Sequence, residues 1–169
     1  REGAGLDAGT LISLLADNAR THPKAVAMRE RDRGIWREYS WAHVLDEVLA
    51  FAAQLDAMGF KPAEGLLVIG DNRPRLYFGM LGAAALRGLA APVYPDTPPD
   101  DLTFYAGNSN ARFALAEDQE QVDKLLELRS RTGQPQVIVY DDPRGLAHYE
   151  DAGLHSWDDV IARGAKRLA

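Results

Sequence analysis

From Gly65 onward, short apolar runs alternate with longer amphipathic runs, and this alternation is the strongest structural signal in the chain. The apolar runs have the length of strands and lie at 66–69, 90–94, 112–116 and 136–140. The intervening runs carry apolar residues at helical spacing. Strands that alternate with helices pair in parallel and place helices on both faces of one sheet. The pattern therefore predicts an α/β, Rossmann-like fold in which helix 74–87 is the crossover between the first two strands.

Before Gly65 the pattern predicts two helices and a β-hairpin. Thr10 and Ser40 each precede a run with helical spacing, which predicts an N-cap at each position. The first of these helices carries an apolar stripe of Leu11, Leu14, Leu15 and Ala19. Residues 25–40 contain two strand-like runs around Arg-Asp-Arg-Gly and predict the hairpin. A similar cap at Ser156 predicts the last helix.

Helix 74–87 is apolar on nearly all sides, and several of its residues are small. Asn72 can cap it, and Pro74 suits its first turn. Its small residues are Gly79, Gly82, Ala83, Ala84 and Ala85. Small residues permit packed backbones to approach closely. Because the helix is apolar on nearly all sides, we expect other elements to cover most of it.

The segment after this helix is rich in proline. Its prolines are Pro92, Pro95, Pro98 and Pro99. Proline in a strand belongs at an edge, a strand end or a bulge, and proline in the first turn of a helix removes no needed hydrogen bond. A stiff strand-to-helix corner, with Thr97 as the cap, is favoured over a binding loop. Tyr94 and Tyr105 could line a cleft at this corner, although a packing role is favoured.

The composition is that of a globular protein, and it argues against several classes of function. The chain has 169 residues, 46% hydrophobic residues and a formal net charge of −6. The lack of a basic stripe argues against a nucleic-acid partner. The lack of cysteine excludes disulfides, thiol catalysis and cysteine zinc sites. The histidines, which are not spaced for a helical metal site, are His22, His43, His148 and His155. No apolar run has the length of a membrane span, and no signal peptide is visible.

Acidic residues follow each of the four predicted strands, at the edge of a parallel sheet where ligands usually bind. They are Asp71, Asp96, Glu117, Asp118, Asp141 and Asp142. Capping of helix N-termini is the favoured role, and a magnesium site of the receiver-domain kind is the alternative. These loops contain no glycine-rich phosphate cradle and no lysine. The sequence therefore predicts no catalytic, cofactor-binding or metal-binding residue in this chain, and its substrate-binding residues are unknown.

Several segments follow one another in a recognisable order. They are YSWAHVLDEVLAFAAQLDAMGF, GLLVIGDNRPRLYFGMLGAAALRGLAAPVYP, DDLTFYAGNSNARFALAED and DDPRGLAHYEDAGLHSWDDVIARG. The ordered set resembles the N-terminal region of the AMP-forming long-chain acyl-CoA synthetases, within the adenylate-forming ligase superfamily. The positions that match the family pattern are Asn72, Pro74, Gly88, Pro92, Tyr94 and Pro95. The chain departs from the family at Gly65-Leu66, where Gly-Asp is frequent, and at Arg75, where Glu is frequent.

The resemblance implies a two-step reaction for the parent protein. ATP and a long-chain fatty acid give an acyl-adenylate and pyrophosphate, and coenzyme A then displaces AMP to form a thioester. Magnesium would neutralise the phosphates. The family's motifs for this chemistry include a Ser/Thr/Gly-rich phosphate loop that ends in Pro-Lys, and this chain has none of them. We therefore expect residues 10–169 to be the N-terminal α/β subdomain of an AMP-binding (adenylation) domain, truncated before the phosphate loop and inactive alone.

The partners implied by the resemblance are the rest of the ligase chain and, for the parent, fatty acid, ATP and coenzyme A. Residues 1–9 are expected to be flexible. Self-association through an apolar surface that the rest of the ligase would cover is also expected. We expect a cytoplasmic protein and leave peripheral membrane contact of the parent open. Two alternatives remain: a stand-alone, non-catalytic α/β interaction module, and a metal- or phosphate-dependent domain of the receiver type.

Overall fold

A computed structural model of the chain describes residues 9–169, which form helices and strands in the order αββαβαβαβαββα. The helices are α1 (Leu11–Thr21), α2 (Trp41–Ala57), α3 (Pro74–Ala85), α4 (Pro99–Asn108), α5 (Gln119–Thr132) and α6 (Trp157–Leu168). The strands are β1 (Val26–Asp32), β2 (Ile35–Ser40), β3 (Gly65–Ile69), β4 (Leu89–Val93), β5 (Phe113–Ala116), β6 (Val137–Tyr140) and β7 (Leu154–Ser156). The segment expected to be flexible lies outside the described residues, except for Gly9.

Strands β3 to β7 form one parallel sheet in the order β4-β3-β5-β6-β7. β3 pairs in parallel with β4 on one side and with β5 on the other. Helix α3 connects β3 to β4, so the predicted parallel pairing and the crossover helix are confirmed. Because the chain extends the sheet from β3 first to one side and then to the other, a topological switch point lies between β3 and β5.

Helices cover both faces of the sheet, and each face has its own core. Val68 of β3 faces a core that includes Phe51 of α2 and Trp157 of α6, whose rings stack with centroids 4.7 Å apart. The neighbouring Leu67 faces a second core that α4 and α5 complete. Adjacent residues of a strand point to opposite faces, so one continuous apolar run contributes to two cores.

β1 and β2 form the antiparallel hairpin that the sequence predicts. Its two-residue loop consists of Arg33 (φ 48°) and Gly34 (φ 84°). Two successive positive φ values are typical of the tight turn whose twist matches that of the flanking strands. Met28 and Tyr39 pack the hairpin against the core, and the Tyr39 ring meets the Phe78 ring of α3 edge to face.

Side-chain caps begin three of the helices at the predicted positions. Thr10, Ser40 and Ser156 each accept a hydrogen bond from the backbone N–H three residues later. The predicted cap at Asn72 is wrong. Arg73 occupies the N-cap position of α3, and the Asn72 side chain instead accepts a hydrogen bond from the Tyr77 hydroxyl at 3.0 Å.

The proline-rich corner lies at the edge of the sheet, because β4 pairs only with β3. The N–H of Leu89 donates to the Glu64 carbonyl beside β3. Alternation along the strand then turns the backbone of Pro92 away from β3, where a missing N–H breaks no ladder bond. The edge position expected for Pro92 is confirmed. The predicted cap at Thr97 is wrong, because Pro98 occupies the N-cap position of α4.

The small residues of α3 lie against α2 and the sheet. A Cβ atom on Gly82 would lie 2.6 Å from Phe51 Cδ1, which is closer than packed atoms approach. The same Cβ would lie 3.4 Å from the backbone oxygen of Val48, so the close backbone approach expected for this helix is present. Most of the large exposed apolar side chains lie on other elements, among them Leu11, Leu14, Ile35, Trp36, Leu89, Tyr94, Phe104 and Tyr105.

Two features differ from the sequence pattern. Strand β7 is not predicted, because a run of only three residues shows no clear alternation. It pairs in parallel with β6 and leads directly into α6. On α1, Leu15 is buried but Leu11 and Leu14 of the predicted stripe are exposed, since only one edge of this helix meets α2 and α3.

Candidate functional site

A polar cleft lies at the carboxyl ends of β3, β5 and β6, next to the topological switch point. It has a volume of about 380 Å³, and the β1–β2 hairpin forms its opposite wall. Its guanidinium groups belong to Arg33, Arg37, Arg73, Arg75 and Arg144. Its carboxylates belong to Glu30, Asp32, Glu117, Asp118, Asp141 and Asp142. We call this site the strand-end cleft, and its positive and negative charges nearly balance.

The loops after β3 and β5 are joined through Glu117. Its carboxylate accepts a hydrogen bond from Arg73 Nε at 2.8 Å and another from the Asp71 backbone N–H at 2.6 Å. Gly70 makes this approach feasible, because its φ is 149° and an added Cβ would lie 2.5 Å from the Cβ of Glu117. A side chain at this position would therefore push the two loops apart.

Two further ion pairs occupy the mouth of the strand-end cleft. Arg37 pairs with Asp32 across the hairpin at 2.8 Å, and Arg144 pairs with Asp142 in the loop after β6. Arg33, at the turn of the hairpin, forms no ion pair with any of residues 9–169. The hairpin and the β6 loop thus meet at this mouth, where Asp32 and Asp142 are each paired with an arginine of their own segment.

Arg75 is the centre of the charged network. Its guanidinium lies 3.0 Å from Asp141, 2.9 Å from Asp158 and 3.9 Å from Glu47. Glu47 also accepts a hydrogen bond from Trp157 Nε1 at 2.9 Å. One side chain therefore connects α3 to α2, to the end of β6 and to the start of α6. A planar guanidinium with five donors suits this role.

Burial and pairing shift the pKa values of several cleft groups. Burial raises the pKa of Asp141, and the hydrogen bond from Arg75 offsets only part of this effect. Burial lowers the pKa of Arg75, but its bond to Asp141 and the neighbouring carboxylates outweigh burial and leave it raised. Burial and the hydrogen bond to Glu30 raise the pKa of Tyr39 well above its usual range. Tyr39 therefore stays protonated at neutral pH and donates to Glu30.

The capping hypothesis is correct for one of the six strand-end acids. Asp71 and Asp96 cap no helix, because α3 and α4 begin without a side-chain cap. Asp118 caps α5 and accepts a hydrogen bond from the Gln121 backbone N–H at 3.2 Å. Glu117, Asp141 and Asp142 instead bind arginine side chains. The reason is that several loops converge at the switch point, so guanidinium groups from neighbouring loops reach these carboxylates.

The β4–α4 corner does not belong to the strand-end cleft. Asp96, Tyr94 and Tyr105 lie outside its lining, and so does Asp71. Tyr94 is 81% exposed, so the packing role favoured for it is wrong. β4 is an edge strand, and the loop that follows it lies beside the switch point rather than within it.

The guanidinium groups of the cleft are not predicted by the capping hypothesis, although the sequence contains a signal for them. Arg73, Arg75 and Arg144 stand beside the acids in the strand-end loops DNRPR and DDPR. Counting basic as well as acidic residues in these loops would have found them. The two hairpin arginines carry no such signal, because only the tertiary structure brings the hairpin over the edge of the sheet.

The acids of the strand-end cleft are not arranged as a magnesium site. Among residues 9–169, no group of three or more His, Asp or Glu side chains is arranged to hold a metal ion. The cleft carboxylates already bind guanidinium groups, a tyrosine hydroxyl or backbone amides. An incoming cation would have to displace these partners.

Comparison with known proteins identifies the class to which this fold and cleft belong. Residues 15–165 match the AMP-binding enzyme family, and the chain therefore belongs to that family. It is 23% identical over 116 residues to long-chain-fatty-acid–CoA ligase ACSBG1 of Homo sapiens. The aligned residues cover 65% of this chain and 16% of that ligase. It is 20% identical over 162 residues to long-chain-fatty-acid–CoA ligase ACSBG2 of Xenopus laevis. That alignment covers 95% of this chain and 22% of that ligase.

Among solved structures, acetoacetyl-CoA synthetase from Streptomyces lividans has the same fold over 89% of this chain and 24% of its own, with a TM-score of 0.79 and 19% identity. The resemblance to the N-terminal region of adenylate-forming ligases is thus confirmed. The chain spans less than a quarter of the length of these three proteins. No helix within residues 9–169 is both long enough and apolar enough to cross a lipid bilayer.

Proposed function

We propose that this chain is the N-terminal scaffold portion of a ligase that activates a long-chain fatty acid with ATP and transfers the acyl group to coenzyme A. The observation that carries the proposal is the family match over residues 15–165. The long-chain-fatty-acid–CoA ligases among its relatives supply the substrate class. In this proposal residues 10–169 are the first α/β subdomain of the adenylation domain, and further chain supplies the phosphate loop.

The same proposal holds that the chain is inactive on its own. Activation of a fatty acid requires groups that bind a triphosphate and stabilise the charge that develops on it. The sequence has no Ser/Thr/Gly-rich loop that leads into Pro-Lys. The guanidinium groups of the strand-end cleft are almost all engaged by carboxylates, so they offer little net positive charge to a nucleotide. The cleft therefore supports the architecture of the site rather than its chemistry.

Pyrophosphate exchange tests this proposal. The purified chain is incubated with ATP, magnesium and a panel of fatty acids, and ATP binding is followed in parallel by calorimetric titration. We expect no exchange and no ATP binding at low micromolar concentration. Exchange by the chain alone would show that the chemistry lies within these residues.

A second arm tests the ligase assignment itself. If the gene continues into a phosphate loop, the longer protein should catalyse exchange with long-chain fatty acids and form the coenzyme A thioester. Replacing the lysine of that loop should greatly weaken exchange, whereas Lys61→Met, an exposed lysine at the opposite end of the sheet, should leave it unchanged. A longer protein that exchanges only with short acids or amino acids would overturn the proposed substrate class.

The chain on its own should also self-associate through apolar surface that the remaining ligase would cover. β4, the loop after it and α4 carry four of the large exposed apolar side chains: Leu89, Tyr94, Phe104 and Tyr105. A surface of this kind favours association between copies. Sedimentation velocity over a range of concentrations should show a dimer or larger species, and Phe104→Ser should reduce it. A strict monomer at high concentration would contradict this expectation.

A further inference from the structure

The tip of the β1–β2 hairpin, residues 31–36, combines three features that are unfavourable in an isolated chain. Arg33 adopts the left-handed region with φ 48°, where residues with a side chain are strained. Ile35 and Trp36 are 69% and 64% exposed. Arg31 and Arg33 form no ion pair with residues 9–169. Strain, exposed apolar area and unpaired charge coincide in six consecutive residues, which indicates a segment organised for contact.

The geometry of the hairpin shows what kind of contact fits. Trp36 pairs across the strands with Arg31, on the face turned away from the core. Ile35 pairs with Asp32 on the opposite face of the hairpin. This is the face that packs Met28 against the core, but Ile35 lies beyond the end of that core. A flat partner laid on one face would cover one apolar side chain and leave the other exposed. Insertion of the tip end-on covers both.

The charges of the hairpin indicate what kind of surface its tip contacts. Residues 26–40 contain four arginines and three carboxylates, in a chain whose formal net charge is −6. Arg29 and Arg37 are closed off by Glu38 and Asp32 across the hairpin. The remaining cations therefore lie at the tip, next to the exposed side chains of Trp36 and Ile35. Indole rings and guanidinium groups are the side chains that settle at the boundary between lipid phosphates and acyl chains.

We propose that the hairpin tip inserts end-on into the headgroup layer of an anionic phospholipid bilayer. Trp36 and Ile35 then lie at the boundary with the acyl chains, and Arg31 and Arg33 contact lipid phosphates. The acidic remainder of the chain is repelled by the same surface, which orients the molecule with the hairpin towards the lipid. This inference goes beyond the proposed ligase activity and does not depend on it, because neither nucleotide nor further chain takes part.

Vesicle binding by the purified chain tests the inference. The chain is mixed with vesicles of phosphatidylcholine alone, or of equal parts phosphatidylcholine and phosphatidylglycerol, and the bound fraction is measured by sedimentation. A second measurement uses lipids brominated on the acyl chains. Trp157 is buried and Trp41 half-buried, so quenching by bromine reports mainly on Trp36. We expect binding to the anionic vesicles only, with quenching of tryptophan fluorescence.

Variants with matched controls make the test specific. Arg31→Gln should reduce the partition coefficient about fivefold, the effect of one interfacial cation. Trp36→Ser should reduce binding by at least as much and abolish the quenching. Lys61→Gln and Leu14→Ser remove an exposed cation and an exposed apolar side chain elsewhere, and both should bind like the wild type. Circular dichroism checks that each variant is folded.

Three results would overturn the inference. The first is equal binding to neutral and anionic vesicles, or binding to neither. The second is an equal loss of binding in the Leu14→Ser control. The third is concentration-dependent association without lipid that Trp36→Ser abolishes, because the tip would then serve contact between copies of the chain. None of these results bears on pyrophosphate exchange, so failure of this inference and failure of the proposed function are distinguishable.

Discussion

The two ends of the parallel sheet bury carboxylates in different ways. At the amino end, Glu64 is only 6% exposed and accepts hydrogen bonds from Arg112 and, at 2.8 Å, from the Lys61 backbone N–H. Arg112 also donates to the Gly59 carbonyl at 2.7 Å, and its guanidinium lies 5.1 Å from the Phe113 ring centroid. At the carboxyl end, Arg75 is instead shared by carboxylates from three other parts of the chain.

The two arrangements shift the pKa values of Glu64 and Asp141 in opposite directions. Burial raises the pKa of Glu64, but the hydrogen bonds from Arg112 and from the Lys61 amide outweigh it, and the pKa is lowered overall. Burial of Asp141 outweighs its bond to Arg75, and its pKa is raised. A carboxylate with a dedicated partner and an amide donor is thus stabilised in its charged form, whereas one that shares its partner is not.

The largest expected effect comes from breaking the shared network with Arg75→Met. This change leaves Asp141 and Glu47, whose side chains are largely buried, without their cation, and losing one partner of a buried ion pair costs about 3 kcal/mol of unfolding free energy. Chemical denaturation measures the loss. Arg75→Lys is the matched control and should recover part of the stability, because it keeps the charge but not the fork of donors. A smaller loss than that of Arg112→Met would show that the amino end is the more important of the two.

Arg112→Met should have the next largest effect, with a loss of about 2 kcal/mol. Glu64 keeps the hydrogen bond from the Lys61 amide, and the partly exposed Arg112 side chain already interacts with water, so the loss is smaller than at Arg75. The same denaturation experiment applies. Adding Glu64→Gln to Arg112→Met should restore part of the stability, because no unpaired charge then remains buried. If the double variant is no more stable than the single one, Glu64 is not the cause of the loss.

The pH dependence should have opposite signs at the two ends. Glu64 has a lowered pKa in the folded state, so its contribution to stability is present above its ordinary pKa of 4.5 and is lost as the pH falls through the folded-state pKa. Asp141 has a raised pKa, so it costs stability above its ordinary value of 3.8, and protonation relieves that cost as the pH falls through its raised folded-state pKa.

Unfolding free energies measured between neutral and acidic pH check this contrast. Glu64→Gln should flatten the acid loss of stability relative to the wild type. Asp141→Asn should steepen it, because the relief on protonation is removed. Changes of the same sign in both variants would contradict the proposed difference between the two ends.

The smallest expected change in stability tests how far the ion-pair network at the carboxyl end of the sheet extends. Asp96 also follows a strand of the sheet, but it lies outside the strand-end cleft and outside the ion-pair network. Asp96→Asn should therefore change the unfolding free energy by less than about 0.5 kcal/mol, as expected for an exposed surface position. Thermal unfolding beside Asp141→Asn provides the comparison. A loss as large as that of Asp141→Asn would mean that the network extends to the β4–α4 corner.

Most of the secondary structure could be predicted from the sequence. The strands predicted at 66–69 and 90–94 are observed at Gly65–Ile69 and Leu89–Val93. These strands are clear because burial on both faces makes them continuously apolar. The caps at Ser40 and Ser156 are equally clear, because a cap involves only residues three apart. β7 and the exposed side of α1 are not, since they depend on which elements pack nearby.

The candidate site could be predicted only in part. The sequence places acids and arginines in the strand-end loops, but it does not indicate that Glu117 pairs with Arg73 or that Asp141 pairs with Arg75. These partners are 44 and 66 residues apart in the chain. Pairing at such separations follows from the order of the strands, which the hydrophobic pattern does not specify.

By itself, the sequence determined the helices and strands, their parallel connection and the family resemblance, because these depend on local periodicity and on residues in a fixed order. Only the tertiary structure decided which charges meet in the strand-end cleft and which side chains remain exposed. Trp157 and Trp36 illustrate the difference. Trp157 begins α6 and Trp36 lies beside the hairpin turn. Trp157 is fully buried against Phe51, whereas Trp36 is exposed at the hairpin tip. Burial depends on what packs against a residue from distant parts of the chain, and that is a property of the whole fold.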